Sequence, residues 1–207
     1  MVEDPDALTI TIRLNEGVMF HDGTELTSAV AKWNYDLAAP TGKLQFAGAI
    51  KESEIVDDYT YMLPLNYWHN QLLQSLAWVP MFSQEAYEKN GGQDWASTNL
   101  VGTGPYILEE FNRDQSLKWV KNPNWWGGDP LLDAIEVTIM VDATTASVMM
   151  QAGRADVWQP ADAQALAEMV DKGFMTQSGW AGFQYHLMPN TKDAASVTAD
   201  QKVLPTS

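Results

Sequence analysis

Residues 101–126 read VGTGPYILEEFNRDQSLKWVKNPNWW. Two glycines flank Thr103, and Pro105 and Tyr106 follow. Two apolar-rich runs, 106–111 and 117–120, are separated by the polar segment Asn112-Arg113-Asp114-Gln115. Such runs, joined by a turn of about four residues, predict a β-hairpin. The stretch closes on Asn122-Pro123 and the pair Trp125-Trp126. Gly104, between Thr103 and Pro105, is expected to need a backbone angle that a β-branched residue resists.

Upstream, Leu8-Thr9-Ile10-Thr11-Ile12-Arg13-Leu14 alternates strictly, which predicts a half-buried strand with Leu8, Ile10, Ile12 and Leu14 inward. Asn15-Glu16-Gly17 reads as a turn, 18–20 as a short return strand, and His21-Asp22-Gly23 as a second turn. A helix follows, capped by Thr24 or Thr27, with Leu26, Val30, Trp33 and Leu37 at helical spacing. Lys32 and Asp36 form an i,i+4 pair on its polar side. Residues 38–48 are a Gly/Pro/Ala-rich connection. Runs 50–56 and 59–65 around Asp57-Asp58 predict a second hairpin. Residues 71–78 read as a helix with Leu72, Leu73 and Leu76 on one side, stopped by Pro80. Ser83 caps a short helix that ends at Gly91-Gly92.

Downstream, 134–140 reads as a strand. Asp142 or Thr144 caps a helix through Ala152, and Gly153 terminates it. Residues 154–158 are expected to run as a strand. Pro160 suits the first position of another helix, which carries Leu166, Met169 and Val170 and ends at Gly173. A last strand is expected at 183–188.

The chain has 207 residues, 45% apolar and 11% aromatic, enough for a packed core. Its net charge of −15 argues against nucleic acid and anionic membrane surfaces, since both need Lys and Arg. It holds no cysteine, so there is neither disulfide nor thiolate chemistry. The N-terminal MVEDPDALTI lacks the apolar core of a signal peptide. The run 59–84 carries no formal charge, but Pro64, Pro80, Asn66, His69, Asn70, Gln71 and Gln74 interrupt it as a membrane span.

No chemistry-bearing constellation emerges. Gly102-Thr103-Gly104 lacks the third glycine of a phosphate loop and precedes a strand, so it reads as a structural turn. His21, His69 and His186 are scattered, without a metal-ligand spacing. Asp57/Asp58 and Glu109/Glu110 are adjacent pairs whose side chains point to opposite strand faces. Asp156 is expected to satisfy nearby backbone donors. No nucleophile–base signature is found. The chain is not read as an enzyme, and neither a cofactor nor a metal is expected.

The order of glycines, Pro105, Tyr106, hairpin, Asn122-Pro123 and Trp resembles the GTGPY…NPxYW signature of the family 5 solute-binding proteins of ABC importers. That family includes oligopeptide-, dipeptide- and nickel-binding proteins. LTITIRLNEGVMFHDGTELTSAVAKW, from Leu8, resembles the family's second signature, with Ser28-Ala29-Val30 where an Ala-x-Asp-Val pattern is usual. Gly153-Arg154-Ala155-Asp156 resembles its helix–Gly-x-x-Asp segment.

The resemblance implies an α/β fold: a mixed sheet with flanking helices, the incomplete first lobe of a periplasmic-binding-protein-like type II fold. It implies a main lobe of 1–37 and 100–188, a small inserted subdomain of 38–99, and a poorly ordered start of a further lobe at 189–207. The implied function is extracytoplasmic binding of a peptide or related small solute, for an ABC permease in the membrane. Two lobes would close on the ligand by a hinge, without chemistry. The location would be periplasmic or at the cell surface. Within such a lobe, the segments leaving the sheet toward the cleft point to Trp158, Gln159, Trp180, Phe183 and Tyr185 as ligand-binding residues. The alternative is a non-transporting interaction module that meets a protein partner through an acidic, Trp-rich surface. With no cysteine and scattered histidines, EDTA is expected to leave the melting temperature unchanged. A drop of several degrees in a thermal melt would reveal a metal site.

Overall fold

The computed structural model describes residues 1–42, 44–159 and 163–176. The chain divides into two compact units, Met1–Val141 and Asp142–Ser207.

In the first unit, β1 (Val2–Asp4), β2 (Thr9–Arg13), β3 (Glu54–Asp57) and β4 (Thr60–Pro64) form an antiparallel sheet in the order β1-β2-β4-β3. The register of β2 on β4 runs from Thr9↔Pro64 to Arg13↔Thr60. Strand alternation then selects the inner face. Ile10, Tyr61 and Leu63 are fully buried on it, and Leu8, Ile12 and Leu14 pack against the same core. All four apolar positions of the first alternating run therefore face inward as expected. The second hairpin also forms, with a register shift between Ile55 and Asp57.

Because β4 lies between β2 and β3, residues 54–64 share a sheet and a core with residues 2–13. The first unit runs from Met1 to Val141. Residues 189–207 lie outside the described residues.

Residues 18–20 form no return strand. Met19 makes one isolated bridge to Glu25. Phe20 N donates to Thr24 O at 2.8 Å and Leu26 N to Val18 O at 2.8 Å, closing a tight loop around Gly23, whose φ is +85°.

Helix α1 (Ser28–Ala38) is capped by Thr27, whose side chain accepts from Val30 N at 3.5 Å. Its buried stripe is Ser28, Ala31 and Asn34. Leu26 and Val30 do reach the core, but Trp33 and Leu37 do not belong to it. Small side chains let the helix start dock closely on the β3–β4 turn. There Ser28 N donates to Asp58 O at 2.7 Å and Ser28 Oγ to Asp57 O at 2.5 Å. Asn34 Nδ2 donates to Val30 O and Phe82 O, both at 3.0 Å, and Asn34 Oδ1 accepts from Phe82 N at 3.2 Å. Trp33 instead packs edge-on against Phe82 and Tyr87, with centroids 5.4 and 5.2 Å apart. The Lys32–Asp36 pair forms at 2.6 Å.

Residues 39–41 and 47–49 are single 3₁₀ turns. Helix α2 (Leu72–Ala77) buries Leu72 and Leu76, with Leu73 partly buried beside them. Ser83 caps α3 (Gln84–Lys89), accepting from Ala86 N at 3.0 Å. A four-residue α4 (Gln93–Ala96) follows.

The hairpin of residues 101–126 is present as β5 (Tyr106–Asn112) and β6 (Ser116–Lys121). With β7 (Ala134–Thr138) they form a second antiparallel sheet in the order β5-β6-β7. Every strand pairing among the described residues is antiparallel. A bulge between Leu108 and Glu110 breaks the strict alternation expected for Glu109/Glu110, and Glu109 pairs with Lys118 at 2.6 Å.

In the second unit, Asp142 caps α5 (Ala143–Gln151), accepting from Thr145 N at 2.7 Å. At its end, Gly153 takes φ +66°, Gly153 N donates to Met150 O, and Arg154 N donates to Met149 O. This is a Schellman motif, and only a residue at ease with positive φ closes it. Helix α6 (Ala163–Asp171) ends the same way at Gly173. Met169 is buried, while Leu166 and Val170 are exposed. Pro160 and the strand expected at 183–188 lie outside the described residues. Residues 154–158 are not a strand. The N–H of Arg154 is spent on the helix end, and no pairing partner is described.

Asn34→Ala removes three hydrogen bonds and strands the N–H and carbonyl of Phe82. The expected loss is about 2–4 kcal/mol. Urea denaturation will show a lowered midpoint with an unchanged m-value.

Candidate functional site

The loop 101–105 is held from three directions. Its carbonyls at Val101 and Gly102 accept from Ser83 N and His21 N, both at 2.9 Å. The His21 ring reads the same loop twice: Gly102 N donates to Nδ1 at 3.3 Å, and Nε2 lies 3.0 Å from Gly104 O. That pair of contacts uses the neutral tautomer protonated at Nε2. From the other side, Asn122 Nδ2 donates to Gly104 O at 3.1 Å, and Asn122 N donates to Pro105 O at 2.9 Å. Trp126 Nε1 donates to Thr103 O at 3.2 Å.

Gly104 does not take the left-handed backbone expected of it, and a Cβ there would meet nothing within 4 Å. The residue before a proline is driven to extended backbone, which a β-branched residue also adopts. The backbone at Gly104 therefore sets no barrier to a β-branched side chain.

Asp22 ties this loop to α3. Its Oδ1 accepts from Thr24 N at 3.0 Å and Thr24 Oγ1 at 2.7 Å, and its Oδ2 accepts from Ser83 Oγ at 2.5 Å. Burial alone raises the Asp22 carboxyl. The hydrogen bonds from Ser83 and Thr24 outweigh it and hold the group below its usual value.

Beside this node runs a groove of about 490 Å³ between the end of the α4 segment and β5. Its walls include His21, Trp95, Asn99, Leu100, Ile107 and Phe111. Sequence reasoning missed it; the signal was the aromatic pair Trp95 and Phe111 on either side of the glycine loop. Among the described residues, no group of three or more His, Cys, Asp or Glu could hold a metal.

Of the five residues chosen from sequence, Trp158 and Gln159 lie among the described residues. Trp158 is half-buried and Gln159 exposed, on irregular backbone after the Gly153 turn. Neither makes a described hydrogen bond. Trp180, Phe183 and Tyr185 lie outside the described residues. Asp156 is exposed.

A family model described as bacterial extracellular solute-binding proteins, family 5 middle, matches residues 2–203. The chain belongs to this family. The glutathione-binding protein GsiB of Escherichia coli O1:K1 / APEC is 34% identical over 157 residues, covering 72% of this chain and 30% of that protein. The chain thus spans less than a third of that relative's length. An ABC transporter substrate-binding protein from Sinorhizobium meliloti superposes with a TM-score of 0.73 at 23% identity, over 84% of this chain and 37% of that one. The periplasmic binding protein DppA from Helicobacter pylori, solved with the peptide STSA, gives 0.71 at 21% identity, over 81% and 38%. At these identities the two structures speak to fold alone: the α/β arrangement is part of a periplasmic-binding-protein fold. No helix among the described residues is long and apolar enough to cross a membrane.

The depressed Asp22 value gives a pH dependence. A carboxyl held below its unfolded value, near 3.9, stabilises the fold above that pH, and the contribution is lost as pH falls through the folded value. Asp22→Asn is therefore expected to lower stability at neutral pH, with the gap to the parent closing below about pH 4. Denaturation midpoints measured across that range check it.

Proposed function

We propose that this chain forms part of an extracytoplasmic receptor for an ABC importer, which holds a peptide-like solute in a cleft and neither makes nor breaks a bond. The observation that carries the reading is the 34% identity to a glutathione-binding protein over 72% of the chain. Glutathione is a tripeptide, so the ligand class is a short peptide or a close analogue. The partner is a membrane permease, and the place of action is the periplasm or the cell surface.

In this reading Trp158, Gln159, Trp180, Phe183 and Tyr185 are the residues of this chain that contact the ligand. Support for Trp158 comes from its setting. It is half-buried, and an indole in such a setting can offer both an apolar surface and an N–H donor. Gln159 beside it brings an amide that both donates and accepts. Ligand pockets of this kind bury most of the ligand's surface. A chain that spans 30% of a relative's length supplies a share of those walls.

The test is titration of the ¹⁵N-labelled chain with glutathione and a tetrapeptide, following the resolved indole signals of its nine Trp. The expected result is movement of the Trp158 signal with a dissociation constant of about 1 mM or weaker, equivalent to about −4 kcal/mol. A Trp158→Ala variant abolishes the response. A Trp158 signal that stays still at about 20 mM ligand would overturn the assignment. So would saturable low-micromolar binding that Trp158→Ala leaves untouched.

A further inference from the structure

Residues 59–84 contain no Asp, Glu, Lys or Arg, in a chain with 27 acidic and 12 basic residues. Burial of Tyr61, Leu63, Leu65, Leu72, Leu76 and Val79 explains one face of that run. It does not explain the outer face of α2. Exposed Gln71, Gln74 and Trp78 recur at i, i+3 and i+7, the spacing of one helical side, with buried Ser75 beneath them. An outer helix face in so acidic a chain would ordinarily carry charge.

These four residues and Gln45 line a cavity of about 250 Å³. Its floor is built: buried Ser75 donates from Oγ to Gln45 O at 2.8 Å, pinning the 45 loop to the helix. Trp78 stands at the rim, 76% exposed. The side-chain amides of Gln45, Gln71 and Gln74 make no hydrogen bond among the described residues. The site thus presents one flat indole, three unspent amides, and no charge on any described lining residue.

We propose that this cavity is a saccharide subsite, in which a neutral sugar ring stacks on Trp78 and its hydroxyls bond to Gln45, Gln71 and Gln74. A sugar ring has an apolar C–H face and a rim of groups that each donate and accept. The indole matches the first. The amides, with a carbonyl acceptor and two N–H donors apiece, match the second. Other chemistries fit worse. An anion finds no Lys or Arg on the described walls, and a cation finds no carboxylate. An apolar ligand would cover three amides without pairing them. The volume is below that of sites for drug-sized ligands, which suits a single ring with the rest of the sugar in solvent.

The experiment is titration of the 207-residue chain with maltose and with cellobiose, by calorimetry and by the indole signal of Trp78. At least one disaccharide is expected to bind with a dissociation constant of about 1–10 mM. Trp78→Ala should weaken it at least about tenfold and Gln74→Ala about threefold, while Trp78→Phe, which keeps an aromatic platform, stays within about threefold of the parent. Trp78 is exposed, so thermal melts of its variants should match the parent, which separates lost binding from lost folding. No response to either sugar at about 50 mM would overturn the proposal, as would binding that Trp78→Ala leaves unchanged. Self-association that Trp78→Ala abolishes, seen by light scattering, would also overturn it, because the face would then meet protein. None of these outcomes bears on Trp158 and the peptide-like ligand.

Discussion

Two side chains far apart in the sequence converge on one carbonyl. His21 and Asn122 both reach the oxygen of Gly104, at 3.0 and 3.1 Å. His21 arrives from the loop before α1, Asn122 from the end of β6. Their meeting fixes where β5 begins, because Pro105 and Tyr106 follow directly. It also fixes how far β6 runs, because Asn122 is the residue that stops it. Asp22, next to His21, carries the constraint on through Ser83 to the start of α3. Each such bond is worth only about 0.5–1.5 kcal/mol net. Their weight is geometric: leaving any partner unpaired in a half-buried setting costs more than making the bond gains.

This arrangement explains why the rare residues of the sequence were readable. Hairpins, caps and helix stops depend on neighbours a few positions away. Ser83, Asp142, Gly153 and the Lys32–Asp36 pair therefore sit where the pattern put them. The misreadings concern non-local partners. Of the large apolar residues at helical spacing around α1, Leu26 and Val30 reach the core but Trp33 and Leu37 do not. The sheet instead accepts Ser28 and Ala31, because a helix docked on a turn must come close. Residues 154–158 alternate like a strand, but a strand is made by its partner. Gly104 was assigned a strained backbone because it is a glycine, although the following proline had already set its angle.

The candidate site was legible only in part, for a related reason. An aromatic in a sequence does not say whether its ring faces a core or a ligand. Trp33 and Trp158 look alike on paper. Both are half-buried, yet Trp33 packs edge-on against Phe82 and Tyr87, while Trp158 lies on irregular backbone after a helix end. The face around Trp78 showed in the sequence only as missing charge, which a buried segment produces equally well.

Hydrogen-bonding capacity separates scaffold from surface that reads a ligand. Asn34, His21, Asn122 and Asp22 have their donors and acceptors committed inside the chain. They cannot also bind a solute without giving up a partner. The signature residues of the family are largely of this kind, so they specify the frame and leave the ligand open. That accords with a fold shared at 21–23% identity with the two solved receptors. Ligand identity has to be written in groups whose capacity is unspent. In the described part of this chain, the amides of Gln159, Gln45, Gln71 and Gln74 meet that condition, each beside a tryptophan or sharing a cavity with one.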